Sequence, residues 1–516
     1  MKKILGRIIV VLPAVIIQFL WYLFIIGFID RLTGKHLGTI LDLVLSVLAV
    51  VFVLSLVKKR EESSYKILWI MVITALPLLG ALLYIFLGNK GTGKRIKRRL
   101  NASKESLSYE LPKDEQAAAD IRKEDLRLSQ SLDQLSRLTG FSMLSNRSAK
   151  YYPFGEDMFK DMCADLEKAE KFIFIEYFII QSGKFWDTLV EILERKAAAG
   201  VDVRVMYDDL GSISTYSAAD VIKLAKKGIK CIPFNPFVLI KSQLNNRDHR
   251  KIMSVDGKVC YSGGINLSDE YINAKQPYGI WKDIGFRLTG DAVKSYTYMF
   301  VEFWNAFSVD KISKQWLDDI QTDEQDSSDI ENDNTDGYIL PYYDSPLRDQ
   351  PASNIFYSEI LSTATQYVWF YTPYLMLGDD LFNAFLKAAS RGVDVRIIMP
   401  GIPDKKMVYR LSRSYYGDLI AAGVKIYEYT PGFVHAKAMI SDDKIAAIGT
   451  VNLDYRSLFL HFECNSVFYK AGIIDALKAD YLSTQKECIE RTAEFVKKGF
   501  FHNFIDSILR VIAPLL

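Results

Sequence analysis

Two stretches of this chain carry the same chemically capable side chains at the same spacing. The first places His249, Lys251 and Asp256 ahead of Gly263, Gly264 and Asn266; the second places His435, Lys437 and Asp442 ahead of Gly449, Thr450 and Asn452. Both read His-x-Lys, four residues, Asp, six residues, Gly-Gly/Thr-x-Asn. An imidazole can attack phosphorus or carry a proton near neutral pH. A lysine ammonium and an asparagine carboxamide suit the equatorial oxygens of a phosphate. The chain holds five histidines, and two of them occupy equivalent places in this repeat. The repetition therefore points to phosphoryl chemistry rather than to two satisfied structural histidines.

Strand periodicity accounts for the spacing. Residues 250–255 and 436–441 read as strands, followed by the turns Asp256-Gly257 and Asp442-Asp443 and by second strands over 259–262 and 445–448. Side chains two apart on a strand share a face, so the His and Lys of each copy project together and the Asn returns from the neighbouring strand. Each copy is half a site. Cleaving a phosphodiester through a covalent intermediate needs a nucleophile on one side of phosphorus and a proton donor on the other, which two opposed histidines supply. Lys251, Lys437, Asn266 and Asn452 then surround the phosphate and neutralise its charge, a role other folds give to a metal. No metal and no cofactor is called for. Each imidazole also needs an acceptor that fixes its tautomer. Asp283 and Glu463 are the expected orienters, because Asp256 and Asp442 sit at the turn, beyond easy reach of the cluster, where they would tie the hairpin together.

The elements around the motifs alternate helix and strand: helix patterns over 157–168, 185–199 and 218–227, strands over 172–180, 201–207 and 229–234. The order recurs in helices over 354–363 and 381–391 and strands over 367–371 and 393–399. The words Gly200-Val201-Asp202-Val203-Arg204 and Gly392-Val393-Asp394-Val395-Arg396 are identical, so a whole α/β unit is duplicated, with the motif as its last hairpin.

These residues resemble the phospholipase D superfamily, and the flanking words resemble its bacterial cardiolipin synthase branch. The words are Ile175-Glu176-Tyr177, residues 207–212, residues 246–251, Gly263 to Asn266, Thr372-Pro373-Tyr374 and residues 449–457, with Pro77-Leu78-Leu79-Gly80 and Ala513-Pro514-Leu515-Leu516 at the two ends. One departure is Asp248, where that branch often has Asn. The resemblance implies an α/β fold of duplicated phospholipase D-like α-β-α sandwich domains with pseudo-twofold symmetry, preceded by N-terminal transmembrane helices. It implies the catalytic set His249, Lys251, Asp256, His435, Lys437 and Asp442. It further implies phosphatidyl transfer between two phosphatidylglycerol molecules, giving cardiolipin and glycerol. His249 would form the phosphohistidine; His435 would protonate the departing glycerol and then deprotonate the hydroxyl of the second lipid. Hydrolysis, or transfer to another alcohol, is the nearest alternative at such a site. A catalytically inactive lipid-binding membrane scaffold is the alternative of another class.

The rest of the chain bounds the reading. Three apolar runs, 8–29, 37–57 and 67–87, have the length of membrane spans, with Asp42 inside the second and Pro77 inside the third. The expectation is a membrane region of two or three helices over 1–88, a polar connector over 89–137, a first half over 138–315, an acidic linker over 316–337 and a second half with C-terminal helices over 338–516. The basic block over 90–99 places the catalytic part on the cytoplasmic side of a bacterial cell membrane, the chain passing through it several times. A net charge of +2 gives no field for nucleic acid. Five scattered cysteines without a Cys-x-x-Cys pair argue against a zinc cluster or disulfide framework. Nothing in the sequence speaks to the oligomer.

Overall fold

The structure is a computed structural model that describes residues 20, 37–59, 61–85, 93–236, 245–322, 336–496 and 499–515. The chain divides into two compact units, residues 1–92 with 511–515 and residues 93–510. In the first, α1 (Leu37–Lys58), α2 (Ser63–Ala75) and α3 (Pro77–Leu83) gather around Ala49, Leu56, Tyr65, Trp69, Ile73 and Tyr84.

The expected spans fare unevenly. The run over 8–29 lies almost wholly outside the described residues, as does the side chain of Asp42. The run over 67–87 is broken: Pro77 has no N–H to continue a helix, Leu76 leaves helical geometry with φ −137° and ψ 76°, and α2 ends after 13 residues. At 1.5 Å per residue that is about 20 Å, short of a roughly 30 Å hydrocarbon core. Among the described residues no helix is long and apolar enough to cross a membrane, so the transmembrane helices expected from the sequence are not confirmed. The outward faces are nonetheless apolar: Leu43, Val47, Val51 and Leu54 of α1 and Met71 of α2 are all exposed.

The second unit is built on two sheets. Its first half supplies β1 (Leu144–Ser145), β2 (Ser148–Tyr152), β3 (Phe172–Tyr177), β4 (Asp202–Asp208), β5 (Lys230–Phe234), β6 (Arg247–Asp248), β7 (Lys251–Val255), β8 (Val259–Gly263), β9 (Ile280–Lys282) and β10 (Gly285–Thr289). Its second half supplies β11 (Tyr338–Asp344), β12 (Tyr367–Tyr371), β13 (Asp394–Pro400), β14 (Lys425–Tyr429), β15 (Gly432–Val434), β16 (Ala438–Ser441), β17 (Ile445–Gly449), β18 (His461–Tyr469) and β19 (Cys488–Arg491). The first sheet runs β2-β10-β8-β7-β3-β4-β5 and the second β1-β11-β18-β17-β16-β12-β13-β14-β19. The order β10-β8-β7-β3-β4-β5 thus recurs as β18-β17-β16-β12-β13-β14. In both, a parallel trio (β3, β4, β5; β12, β13, β14) joins an antiparallel hairpin that carries the motif. The duplicated α/β fold expected from the repeated words is present.

The helix Ala292–Phe307 is buried at every residue from Ser295 to Asn305, the polar Ser295, Thr297, Glu302 and Asn305 included. It touches both sheets: Thr297 Oγ1 lies 2.7 Å from Ser254 Oγ on β7, and Tyr296 Oη 2.8 Å from Ser466 Oγ on β18. Two further stretches test the sequence reading. Residues 101–138, whose polar composition allows a helical or a loose connector, take the helical form, as most of three helices, Gly93–Leu107, Glu115–Glu124 and Leu126–Thr139. The last two are N-capped by Asp114 and Asp125. The tail is not helical throughout: β19 pairs antiparallel with β14, and its four residues, two half-buried and two exposed, are too few to show strand alternation.

Candidate active site

Each motif histidine directly follows a short strand that pairs with a strand of the other half. β6 pairs in parallel with β18, Arg247 opposite His461 and Asp248 opposite Phe462. The His249 N–H continues that ladder to the Phe462 carbonyl at 2.9 Å. The next residue on β18 is Glu463, whose Oε1 and Oε2 lie 2.9 and 2.8 Å from His249 Nδ1. The second copy mirrors the first. β15 pairs in parallel with β9, Val434 opposite Lys282, and the His435 N–H donates to the Lys282 carbonyl at 2.7 Å. Asp283 Oδ2 then lies 2.6 Å from His435 Nδ1. Each imidazole therefore donates Nδ1–H to a carboxylate of the opposite half, which fixes the tautomer and leaves Nε2 as the basic nitrogen.

Lys251 and Lys437 pack beside their histidines. Lys251 Nζ donates to the His249 carbonyl at 2.5 Å, and Lys437 Nζ donates to the His435 carbonyl. Lys437 Nζ also lies 2.6 Å from His435 Nδ1. That nitrogen has one hydrogen and turns it toward Asp283, so the carbonyl is the lysine's acceptor. Burial pushes Lys251 down to about 8 and Lys437 down to about 7, against the pull of Glu463 and Asp283. The charges of both carboxylates act on both lysines, which places all four groups in one cluster. Burial, followed by the charge of Lys251, holds His249 well below the usual imidazole range. Burial and Lys437 bring His435 down to about 4, with Asp283 opposing. Two ammonium groups enclosed beside two neutral imidazoles form a site built to receive an anion.

The other motif residues divide. Asp256 and Asp442, grouped with the catalytic set by the resemblance, lie at the far end of the hairpin, where each caps three backbone amides. Asp256 accepts from the N–H groups of Glu170, Lys171 and Phe172 at 2.7 to 2.8 Å. Asp442 accepts from those of Thr365, Gln366 and Tyr367 at 2.8 to 2.9 Å. They lock the hairpin turn to the start of β3 or β12. Asn266 accepts from Ile179 N–H at 3.1 Å and donates to Tyr271 Oη at 2.7 Å, and the Tyr271 ring stands edge-on 5.3 Å from the His435 ring. Asn452 donates to Asp454 at 3.1 Å, while its buried Oδ1 has no partner among the described residues. In both amides only the second Nδ2 hydrogen is left for an anion.

The halves also differ. A Cβ on Gly264 would lie 2.1 Å from Asp283 Oδ1, so only glycine lets that carboxylate approach. The equivalent Thr450 instead donates its hydroxyl to Glu463. Arg250, between His249 and Lys251, is fully buried, pairs with Glu176 and with Asp248 at 2.9 Å, and stacks on Phe303 at 3.5 Å. Ala436 takes its place in the second copy. Asp248 thus serves as a carboxylate partner, a role Asn would fill only weakly. Among the described residues no cluster of three or more His, Cys, Asp and Glu side chains could hold a metal ion.

This geometry agrees with what the chain resembles across known proteins. Residues 162–283 and 357–483 match the family described as cardiolipin synthase, PLD-like domain, and residues 44–89 match the phospholipase D-nuclease N-terminal family. A cardiolipin synthase of Geobacillus sp. is 32% identical over 495 residues, covering 94% of this chain and 96% of that protein. The chain belongs to the cardiolipin synthase family of the phospholipase D superfamily. An uncharacterized protein of Streptococcus mutans is 40% identical over 466 residues, 90% of this chain and 99% of its own. The crystal structure of phosphatidylserine synthase from Haemophilus influenzae Rd KW20 shares the fold, with a TM-score of 0.55 at 14% identity over 75% of this chain and 99% of that one. A member of this family is a phosphatidyltransferase.

One cleft residue escaped the reading of the sequence. His461 lies two positions before Glu463 on β18 and so projects from the same face. Its ring is 5.9 Å from that of His249, and its buried Nε2 has no partner among the described residues. Counting back by two from the orienting Glu463 would have found it.

Proposed function

We propose that the protein condenses two phosphatidylglycerol molecules into cardiolipin and glycerol by two successive displacements at one phosphorus. His249 Nε2 attacks the donor phosphorus, an N–P bond forms, and the P–O bond to glycerol breaks as His435 Nε2 gives its proton to that oxygen. A hydroxyl of the second lipid's glycerol then passes its proton to His435 and attacks phosphorus, breaking the N–P bond. In the empty site His435 is neutral; an anionic phosphodiester beside it favours the imidazolium, which Asp283 also supports. Lys251 and Lys437, with a hydrogen from each of Asn266 and Asn452, stabilise charge on the equatorial oxygens. The observation that carries this reading is the reciprocal pairing of each imidazole with a carboxylate of the other half.

The reaction belongs at the bacterial cytoplasmic membrane, with the catalytic unit on the cytoplasmic side. The exposed apolar faces of α1 and α2 support a lipid setting, since both substrates reside in a bilayer. The test is purified full-length protein with phosphatidylglycerol labelled at phosphorus. Cardiolipin and free glycerol should form in equal amounts, and an acid-labile label should reside on the wild-type protein but not on His249→Ala. Phosphatidic acid as the main product would overturn the synthase reading in favour of hydrolysis.

A further inference from the structure

Five of the first seven residues of the helix Gly93–Leu107 are cationic: Lys94, Arg95, Lys97, Arg98 and Arg99, with no acidic residue in the first turn. This is the wrong end of a helix for positive charge, because the unpaired N–H groups there already carry about half a unit of it. The chain tolerates the arrangement because the opposite face is anchored. Ile96, Leu100, Ser103 and Leu107 form a buried stripe, Ser103 Oγ donates to the Glu302 carbonyl at 2.8 Å, and Arg99 lies 5.7 Å over the Phe307 ring. The helix is thereby fixed to the central helix Ala292–Phe307 of the catalytic unit. Lys94, Arg95, Lys97 and Arg98 all point to solvent, and among the described residues none of them forms an ion pair, whereas Lys104 in the last turn pairs with Glu302 at 3.6 Å. A shallow groove among Lys94, Lys97, Arg98, Asn101, Ala102 and Glu105 runs along this face.

We infer that the exposed face of the helix Gly93–Leu107 is a docking surface for an anionic lipid bilayer, which it holds against the catalytic unit. Four unpaired cations on one rigid face match a plane of anionic headgroups, and each such contact is worth several-fold in association at low salt. The inference rests on the phospholipid reading above only for the kind of anion: phosphatidylglycerol and cardiolipin are both anionic, so this surface gathers the enzyme where its substrate is dense.

The experiment measures wild-type protein and the variant Lys94→Gln/Arg95→Gln/Lys97→Gln/Arg98→Gln on mixed micelles in which phosphatidylglycerol is diluted with a neutral or an anionic non-substrate lipid. A monomeric short-chain phosphatidylglycerol serves as the control substrate. The apparent surface dissociation constant of the wild type should fall as the anionic fraction rises and climb as salt goes from about 0.05 to about 0.5 M. The variant should bind the anionic surface on the order of 100-fold more weakly, with unchanged turnover on the monomeric substrate. Equal surface affinity of variant and wild type, or wild-type affinity indifferent to salt and to anionic fraction, would overturn the inference. If the fourfold variant does not fold, Arg95→Gln/Lys97→Gln takes its place and the wild-type titration decides by itself. Failure of the synthase reading looks different: the wild type would then make no cardiolipin from the monomeric control.

Discussion

His249 and Glu463 are 214 positions apart in sequence, yet Glu463 Oε2 lies 2.8 Å from His249 Nδ1, and the two belong to opposite halves of the duplication. Asp283 and His435 repeat the relation in reverse at 2.6 Å. Neither half can orient its own imidazole, so the site exists only where the halves interlock.

Removing an orienting carboxylate should therefore damage chemistry more than binding. Glu463→Gln and Asp283→Asn are each expected to lower kcat by roughly 100-fold or more with KM little changed. Thr450→Val, which removes only the hydroxyl bonded to Glu463, should cost far less. Steady-state kinetics on mixed micelles checks this; wild-type kcat in both carboxamide variants would refute the orienting role.

Asp256 and Asp442 should behave in the opposite way. Each carboxylate satisfies three backbone N–H groups far from the imidazoles, and losing such acceptors costs roughly 1–3 kcal/mol per group left unpaired. Asp256→Ala and Asp442→Ala should lower the melting temperature and the yield of folded protein, while the folded fraction keeps a near-normal kcat. Active-site titration combined with thermal unfolding separates the two effects.

Lysine protonation should shape the basic limb of the pH profile. Burial lowers Lys437 to about 7, so in the empty site its charge is present below that pH and is lost as pH rises through it. kcat/KM, which reports the free enzyme, should accordingly fall above about pH 7. A bound phosphate favours the ammonium, so the corresponding limb in kcat should lie at higher pH. Lys437→Arg should move the kcat/KM limb upward whatever its effect on absolute rate. On the acid side, the depressed His249 should stay unprotonated well below the ordinary imidazole value.

Arg250 is a further point of sensitivity. Its guanidinium is enclosed between Phe303, Asp248 and Glu176, and removing one member of a buried ion pair leaves an uncompensated charge at about 3–5 kcal/mol. Arg250→Met, which strands both Asp248 and Glu176, should unfold at markedly lower denaturant. Glu176→Leu should cost less, since it keeps the Arg250–Asp248 pair.

The two motifs and their equal spacing were enough to announce a duplicated α/β unit, a paired His and Lys set and the family. Strand alternation and repeated words are local properties of a chain, and they survive any arrangement of the sheets. Asp283 and Glu463 were legible only as nearby acids, and their exchange between halves was not, because β6 and β9 are two and three residues long and pair with strands of the other copy. Such pairings leave no local periodicity. The same holds for His461, which enters the cleft only because β18 turns one face to His249. The break at Pro77 could be suspected from the proline itself, but packing of α3 beside α2, with Gly80 against the Val72 carbonyl, decided that this apolar run would not continue as one helix. Sequence alone determined which groups could do chemistry on phosphorus. Tertiary structure decided which carboxylate holds which imidazole, because that assignment depends on contacts between residues 214 and 152 positions apart.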